Sequence, residues 1–245
     1  MGIDVNGAPA RLANGAFEAD GVPLQAGSNV LTAVASVIGG QAASASVTVT
    51  TTAVPESLTL AATPRAGIAP LAVTFTFTWA PPTPIASLSM DFDGDGTMDL
   101  TTTDPTTPFR FTYSTPGLYR AHLQLTDSSA TTADAYVAIE VDDVVALDAI
   151  LQGVWNGTHG ALAAGNQTAA MTFISRPARE HYAPAFALLL PTMPGIVESF
   201  SPLQGIKIGA NLAEYGVTRM IAGERRLFLI YFIRGGDGVW RLDSM

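Results

Sequence analysis

The sequence predicts a multidomain chain in which all-β sandwich modules precede an α+β domain with helices packed on an antiparallel sheet. Three observations support this fold class. Between residues 58 and 141, apolar and polar residues alternate in several runs, which is the period of a strand with one buried face. After residue 142 the apolar spacing becomes helical. Gly, Pro and Thr are abundant in the first part of the chain, as expected for short strands and turns.

Residues 1–52 consist of short apolar runs broken by Gly and Asn. The segment GSNVLTAVASVIGGQAASASVTVT predicts a hairpin that turns at its Gly-Gly pair, with Val47 and Val49 pointing inward. The stretch from VNGAPARL to ASASVTV resembles the Ig-like repeats appended to bacterial secreted glycosidases and adhesins. Because such a sandwich needs about seven strands, the resemblance implies a partial module, either incomplete or completed by a neighbour.

Residues 53–141 give the clearest strand signal, after a segment of linker composition, TTAVPES, at 51–57. Three runs alternate strictly, and their inward positions are Val73, Phe75, Phe77 and Trp79; Tyr119, Ala121, Leu123 and Leu125; and Ala135, Val137, Ile139 and Val141. The segments PRAGIAPLAVTFT, MDFDGDG and YSTPGLYRAHLQLTD resemble the polycystic-kidney-disease (PKD) repeat in order and spacing, although Met90 stands where the family usually carries Trp. The resemblance implies a spacer or contact module on extracellular proteins that touches proteins or polysaccharides.

Residues 142–245 begin with apolar residues at helical spacing, which predict a helix of about 20 residues containing Leu147, Leu151 and Leu162. NQTAAMTFIS and REHYAPAFALLL predict two shorter helices, and we expect Pro184 to start or kink the second. Strands are predicted near 204–210, 212–221, 226–234 and 239–243. The element order, VWNGTHGALAAGN and the closing DGVW resemble the nuclear transport factor two-like cone fold, which hosts both enzymes and binding or assembly modules.

The densest cluster of charge is the segment DFDGDGTMD. Asp91, Asp93, Asp95 and Asp99 could converge on calcium if the chain turns at the intervening glycines. The segment is not an EF-hand, because Thr102 stands where that loop requires a bidentate Glu. A solvated β-turn that uses Asp and Gly for their backbone preferences is the alternative, and both interpretations stay open. The prediction requires no cofactor, and calcium is the one cation considered.

The cone resemblance implies a cavity lined by the long helix and the inner face of the sheet. Its candidate lining residues are Trp155, His159, Tyr182, Phe186, Tyr215, Arg219 and Tyr231. Aromatic side chains with one Arg would suit an apolar anion or a peptide end, and the alternative is that they fill the core. No motif of a known catalytic machinery is present, so we assign no catalytic residue; a cone-fold enzyme acting through His159 or His181 is kept as an alternative.

The strand LFLIYFI at 227–233 is apolar on both faces. Leu227 and Leu229 lie on one face, and Phe228 and Ile230 lie on the other. Because helices can cover only one face, we expect the other to pack on another domain or subunit, which favours a homodimer through the C-terminal sheet.

Composition limits the possible partners and compartments. The net charge of −9 disfavours binding to nucleic acid, and no run of apolar residues is long enough to cross a bilayer, so membrane insertion is not expected. There are no cysteines, which excludes disulfides and thiolate sites. No signal peptide precedes the opening MGIDVNG, and we therefore expect a longer, exported precursor.

Together these features predict a non-catalytic binding or scaffold protein that is secreted, displayed on the cell surface or periplasmic, with a protein or polysaccharide partner. In this interpretation the β-sandwich modules present the C-terminal cone domain for contact. The alternatives are the cone-fold enzyme and an inert structural stalk.

Overall fold

The computed structural model describes residues 1–52, 58–81 and 83–245, and these fall into two compact units. The sandwich unit comprises Asp4–Ala33 and Ala45–Asp142. The C-terminal unit comprises Met1–Ile3, Val34–Ser44 and Asp143–Met245. The division into modules 1–52, 53–141 and 142–245 stays a prediction, and the predicted linker lies, beyond its first two residues, outside the described part.

The first 52 residues form one sheet and one separate hairpin. The strands are β1 (Gly2–Val5), β2 (Ala8–Pro9), β3 (Arg11–Ala13), β4 (Ala16–Glu18), β5 (Gly27–Val37) and β6 (Gly40–Thr51). The sheet has the order β2-β1-β5-β6, and β3 pairs with β4. Only Ile3, Val5 and Ala10 among its apolar residues are buried. This segment therefore has no closed core of its own, and the prediction that Val47 points inward is wrong, since 58% of it is exposed.

The next eight strands build a β-sandwich. They are β7 (Leu58–Thr63), β8 (Ala66–Ile68), β9 (Leu71–Trp79), β10 (Ile85–Asp91), β11 (Leu100–Thr102), β12 (Phe109–Tyr113), β13 (Gly117–Asp127) and β14 (Thr132–Asp142). One sheet has the order β11-β10-β13-β14-β8, and the other has the order β12-β9-β7. The alternating residues form the core between them, with Phe75, Leu123 and Ile139 fully buried. Met90 is fully buried in the same core.

The C-terminal unit opens with the long helix that the sequence predicts, α1 (Val144–Ala163). Asp143 caps it, because its carboxylate accepts hydrogen bonds from the Val145 and Ala146 amides at 2.7 and 3.2 Å. Further helices are α2 (Gln167–Thr172), α3 (Arg176–Leu189) and α4 (Met193–Glu198). Pro184 lies inside α3 and does not start it. The helix instead begins after Ser175, whose side chain caps it.

Four strands complete the C-terminal unit as an antiparallel meander: β15 (Gln204–Ile208), β16 (Leu212–Ile221), β17 (Glu224–Arg234) and β18 (Trp240–Ser244). In β17, Ile230 and Phe232 are buried, whereas 63% of Leu227 and 40% of Leu229 are exposed. We expected both faces of this strand to be buried, and within one chain only one face is. Among the described residues, no helix combines the length and the apolar character needed to span a bilayer.

Candidate functional site

The acidic loop between β10 and β11 brings three of its four predicted ligands together. Carboxylate oxygens of Asp91, Asp93 and Asp99 lie within 4.8 Å of one another, while Asp95 is not part of this group. Each of the four carboxylates also accepts a hydrogen bond from a backbone amide of the loop, at 2.7–3.1 Å. The carboxylates therefore hold the turn itself, and calcium binding here stays a prediction.

Asp91 and Asp93 play different parts in this loop. Asp91 is buried, and its two oxygens accept from the Gly94 and Gly96 amides, so it is a structural residue. Asp93 is exposed, and desolvation together with the carboxylates of Asp95, Asp99 and Asp91 raises its pKa. The loop thus concentrates negative charge that its amide hydrogen bonds relieve only in part.

The seven residues predicted to line a cone cavity fall into separate groups. Trp155 and His159 contact each other at 3.7 Å between ring centroids, and Arg219 lies 5.7 Å from the ring of their neighbour Phe200. Tyr182 stacks on Phe186, and the buried Tyr215 donates a 2.6 Å hydrogen bond to Asp148. Tyr231 lies on the other face of the sheet, 3.4 Å from a Glu214 oxygen.

The two C-terminal histidines have different surroundings. His159 is buried, and its Nδ1 donates to the Trp155 carbonyl at 2.9 Å. Burial lowers the pKa of His159, which favours the neutral ring. His181 is exposed on α3, with its ring against Tyr182 at 5.0 Å between centroids.

A cavity of about 550 Å³ is present in the C-terminal unit, but none of the seven predicted residues lines it. Its wall includes Ser175 at the start of α3 and the side chains of Arg176, Arg234 and Arg241. Arg241 forms a bidentate pair with Asp237 at 2.7 and 2.9 Å, so this guanidinium is already neutralised.

The sandwich unit contains a larger groove, of about 780 Å³, that the sequence analysis missed. One wall is a face of the N-terminal sheet, and the other comes from β4, the segment after it, and two residues of β13 and β14. The lining residues are Val5, Phe17, Glu18, Ala19, Asp20, Gly21, Val22, Leu24, Leu31, Ala33, Ala45, Ser46, Val47, Arg120 and Tyr136. Most of these side chains are aliphatic. The signal in the sequence was the spacing of Leu31 and Ala33, and of Ala45 and Val47, on strands that carry no charge.

The charged side chains of the groove are paired with one another or with the sandwich. Glu18 lies 3.3 Å from the Arg120 guanidinium, and Asp20 forms an ion pair with Arg65. Asp20 also accepts a 3.3 Å hydrogen bond from the Ala138 amide. The groove therefore offers apolar surface rather than free charges.

One aromatic ring of the groove is covered by its neighbours. The guanidinium carbon of Arg120 lies 4.0 Å from the centre of the Tyr136 ring. His122 stacks on the same ring at 4.4 Å and 12°, and its Nε2 lies 2.7 Å from Asp134. Phe17 is the more open aromatic side chain, with 45% of it exposed.

Comparisons with known proteins give distant structural similarities. No protein-family model and no curated protein matches the chain. The PKD1 domain of the Vibrio cholerae metalloprotease PrtV is 23% identical over 35% of this chain and 98% of its own, with a TM-score of 0.27. Promiscuous carbohydrate-binding modules of the β-sandwich superfamily are 18% identical over 72% of this chain and 53% of theirs, with a TM-score of 0.30. Fibronectin(III)-like modules of Clostridium thermocellum CbhA are 15% identical over 57% and 78%, with a TM-score of 0.24. At such low TM-scores these similarities support no conclusion about the chain, and its own sheet topology and groove are used instead.

Proposed function

We propose that this chain is a non-catalytic binding protein, secreted or displayed on the cell surface, whose PKD-type sandwich unit binds a protein partner in the groove. The observation that carries the proposal is the uncovered face of the N-terminal sheet. On this face Leu31, Ala33 and Val47 line an open groove, and none of the three is fully buried. Exposed apolar surface of this kind marks an interaction site.

The groove chemistry favours a polypeptide over a polysaccharide. Phe17 offers an open aromatic ring, but the Tyr136 ring is covered, and the charged groups Glu18 and Asp20 are already paired and so not free to bind sugar hydroxyls. Aliphatic side chains of a partner would gain from burial against Leu24 and Val47.

The enzyme and stalk alternatives have less support. His159 is a buried residue bonded to its own helix, and none of the seven predicted residues lines the cavity at Ser175 and Arg241. A stalk function would leave the exposed apolar groove without a role. The cone fold of the C-terminal unit remains part of the proposal, supported by a long leading helix and an antiparallel meander.

A homodimer through the outer face of the C-terminal sheet is the second part of the proposal. On that face Leu227 and Leu229 are exposed, and the Cδ1 atoms of Leu227 and Ile206 both lie over Gly216, 3.1 and 3.3 Å from where a Cβ would be. The C-terminal unit contains eight acidic and eight basic residues, so two copies would not repel each other through net charge.

The groove is tested by two matched variants of the same hairpin. Val47 and Val30 are both 58% exposed, but only Val47 lines the groove. We expect a displayed library of extended peptides to yield binders. Their affinity should be at least tenfold lower for Val47→Glu and unchanged for Val30→Glu. A panel of polysaccharides is screened in parallel. Binding to polysaccharides alone, or equal losses in both variants, would contradict the proposal.

A further inference from the structure

The last strand of the N-terminal sheet, β6, has a free edge. It pairs with β5 on one side, and no described strand pairs with the other. Residues 40–48 are all exposed, and so is Thr50. The backbone N–H and C=O groups on this edge are therefore open to a further strand.

Edge strands of soluble proteins are normally protected against pairing with other chains. The usual devices are a short length, charged side chains, Pro and β-bulges. The twelve residues of β6, GQAASASVTVTT, contain neither a charged residue nor a Pro. An edge that is long, uncharged and exposed is suited to accept a strand rather than to repel one.

The groove lies directly beside this edge. Three consecutive residues of β6, Ala45, Ser46 and Val47, line it, so the groove is bordered by backbone as well as by side chains. A strand added to β6 would place every second side chain over the same sheet face as Val47. Apolar side chains at those positions would enter the groove, opposite Phe17 and Leu24.

The charge of the sandwich unit indicates which side chains the ligand carries on the side that faces away from the groove. This unit contains thirteen acidic and four basic residues, so it holds the entire net charge of −9. A ligand that carries Lys or Arg at the positions facing away from the groove would be attracted to it, and an acidic ligand would be repelled.

From these observations we infer that the sandwich unit binds an extended, basic segment of a protein partner by adding it as a strand to the free edge of β6 within Ala45–Thr51, the part of the strand that belongs to this unit. Backbone hydrogen bonds to β6 would supply affinity, and the groove would select apolar side chains at alternate positions. The inference rests on the proposed function, because it specifies how the groove is occupied.

The test uses a labelled eight-residue peptide in which valine alternates with lysine, and measures its affinity by fluorescence anisotropy. Two analogues carry N-methyl groups on the backbone of either all valines or all lysines. In an added strand only alternate N–H groups face the edge. We therefore expect one analogue to lose at least tenfold in affinity and the other to stay within about threefold of the parent. Amide exchange of the segment 45–51 should slow when the parent peptide binds.

Two outcomes would overturn the inference while leaving the groove in place. The first is equal affinity of the two methylated analogues, which would mean that side chains alone hold the peptide. The second is that no alternating peptide binds although library peptides still depend on Val47. A library without any binder would instead overturn the proposed function. Replacing the lysines by glutamate should weaken binding at least tenfold at low salt, and unchanged affinity would contradict the basic character of the ligand.

Discussion

At the scale of single residues, the acidic loop contains two glycines with similar backbone angles and different surroundings. Gly94 has φ +79° and Gly96 has φ +89°. A Cβ on Gly94 would lie 2.7 Å from the Arg120 carbonyl oxygen, whereas nothing lies within 4 Å of a Cβ on Gly96. An Ala at position 96 would therefore suffer backbone strain alone, whereas an Ala at position 94 would suffer backbone strain and a steric clash.

We expect Gly96→Ala to lower the free energy of unfolding by about 1 kcal/mol, because a left-handed conformation disfavours any Cβ. Gly94→Ala should cost about 2 kcal/mol more, since the loop must also move away from β13. Urea unfolding of both variants measures the difference. Equal losses would show that the loop does not pack against Arg120 in this way.

Asp93 links the charge of this loop to pH. Because the pKa of Asp93 is raised in the folded state, its ionised carboxylate reduces the stability of the fold. This loss of stability is present at pH values above the folded pKa and absent well below the pKa of the unfolded chain. With chelator present, Asp93→Asn should therefore raise the melting temperature at pH 7, and the gain should vanish near pH 3. Asparagine keeps the oxygen that accepts from the Asp95 amide.

Asp104 is the matched control for this experiment. Hydrogen bonds from Thr106 and Thr107 lower its pKa, so Asp104→Asn should reduce stability at pH 7, the opposite sign. A loss of stability in Asp93→Asn at pH 7 would contradict the argument. The same variant tests calcium, since a cation held by the loop should stabilise the wild type and Asp104→Asn but not Asp93→Asn.

At the scale of elements, the two apolar faces of β17 differ in burial. Its alternate side chains face either the helices or the solvent, and only 1% of Ile230 is exposed against 40% of Leu229. We expect Ile230→Ala to cost about 2–5 kcal/mol of unfolding free energy, because it leaves a cavity in the core. Leu229→Ala should cost about 0.5 kcal/mol. Chemical denaturation at low protein concentration distinguishes them, and equal costs would contradict this packing.

The helix α3 illustrates how local rules can yield to neighbours. A Pro inside a helix removes one hydrogen bond and disturbs the preceding turn, which is why the sequence predicted a start or a kink at Pro184. In the structure the helix runs through it, and Gln167 donates a 2.7 Å hydrogen bond to the adjacent Ala183 carbonyl. The carbonyl that Pro184 leaves without its helical donor is that of Glu180, so this hydrogen bond holds the turn beside the Pro and does not replace the lost one.

At the scale of the whole molecule, the proposed homodimer is tested by its mass in solution. We expect light scattering to give twice the chain mass of 25.5 kDa for the wild type. Leu227→Glu, which places a charge on the outer face of the C-terminal sheet, should give the monomer. Val145→Glu is the control, because Val145 is 74% exposed on α1 and lies outside that face. A monomeric wild type at micromolar concentration would remove the dimer from the proposal.

The sequence alone determined the strand periods, the long helix and the C-terminal meander. Alternation at Val73 and Phe75, or helical spacing from Leu147 to Leu162, reports which face of an element is apolar, and that is a local property. The same local information placed the acidic loop at 91–99. The sequence also shows that most of the net charge lies in the front part of the chain.

Only the tertiary structure decided which apolar faces are covered. Val47 and Phe75 look alike in the sequence, yet one lies in an open groove and the other in a closed core. The groove joins β4, β6, β13 and β14, and its lining residues Phe17 and Tyr136 are far apart in the chain. The free edge of β6 depends on the order of strands in its sheet. Periodicity specifies that a face is apolar, but burial depends on what the rest of the chain places against it.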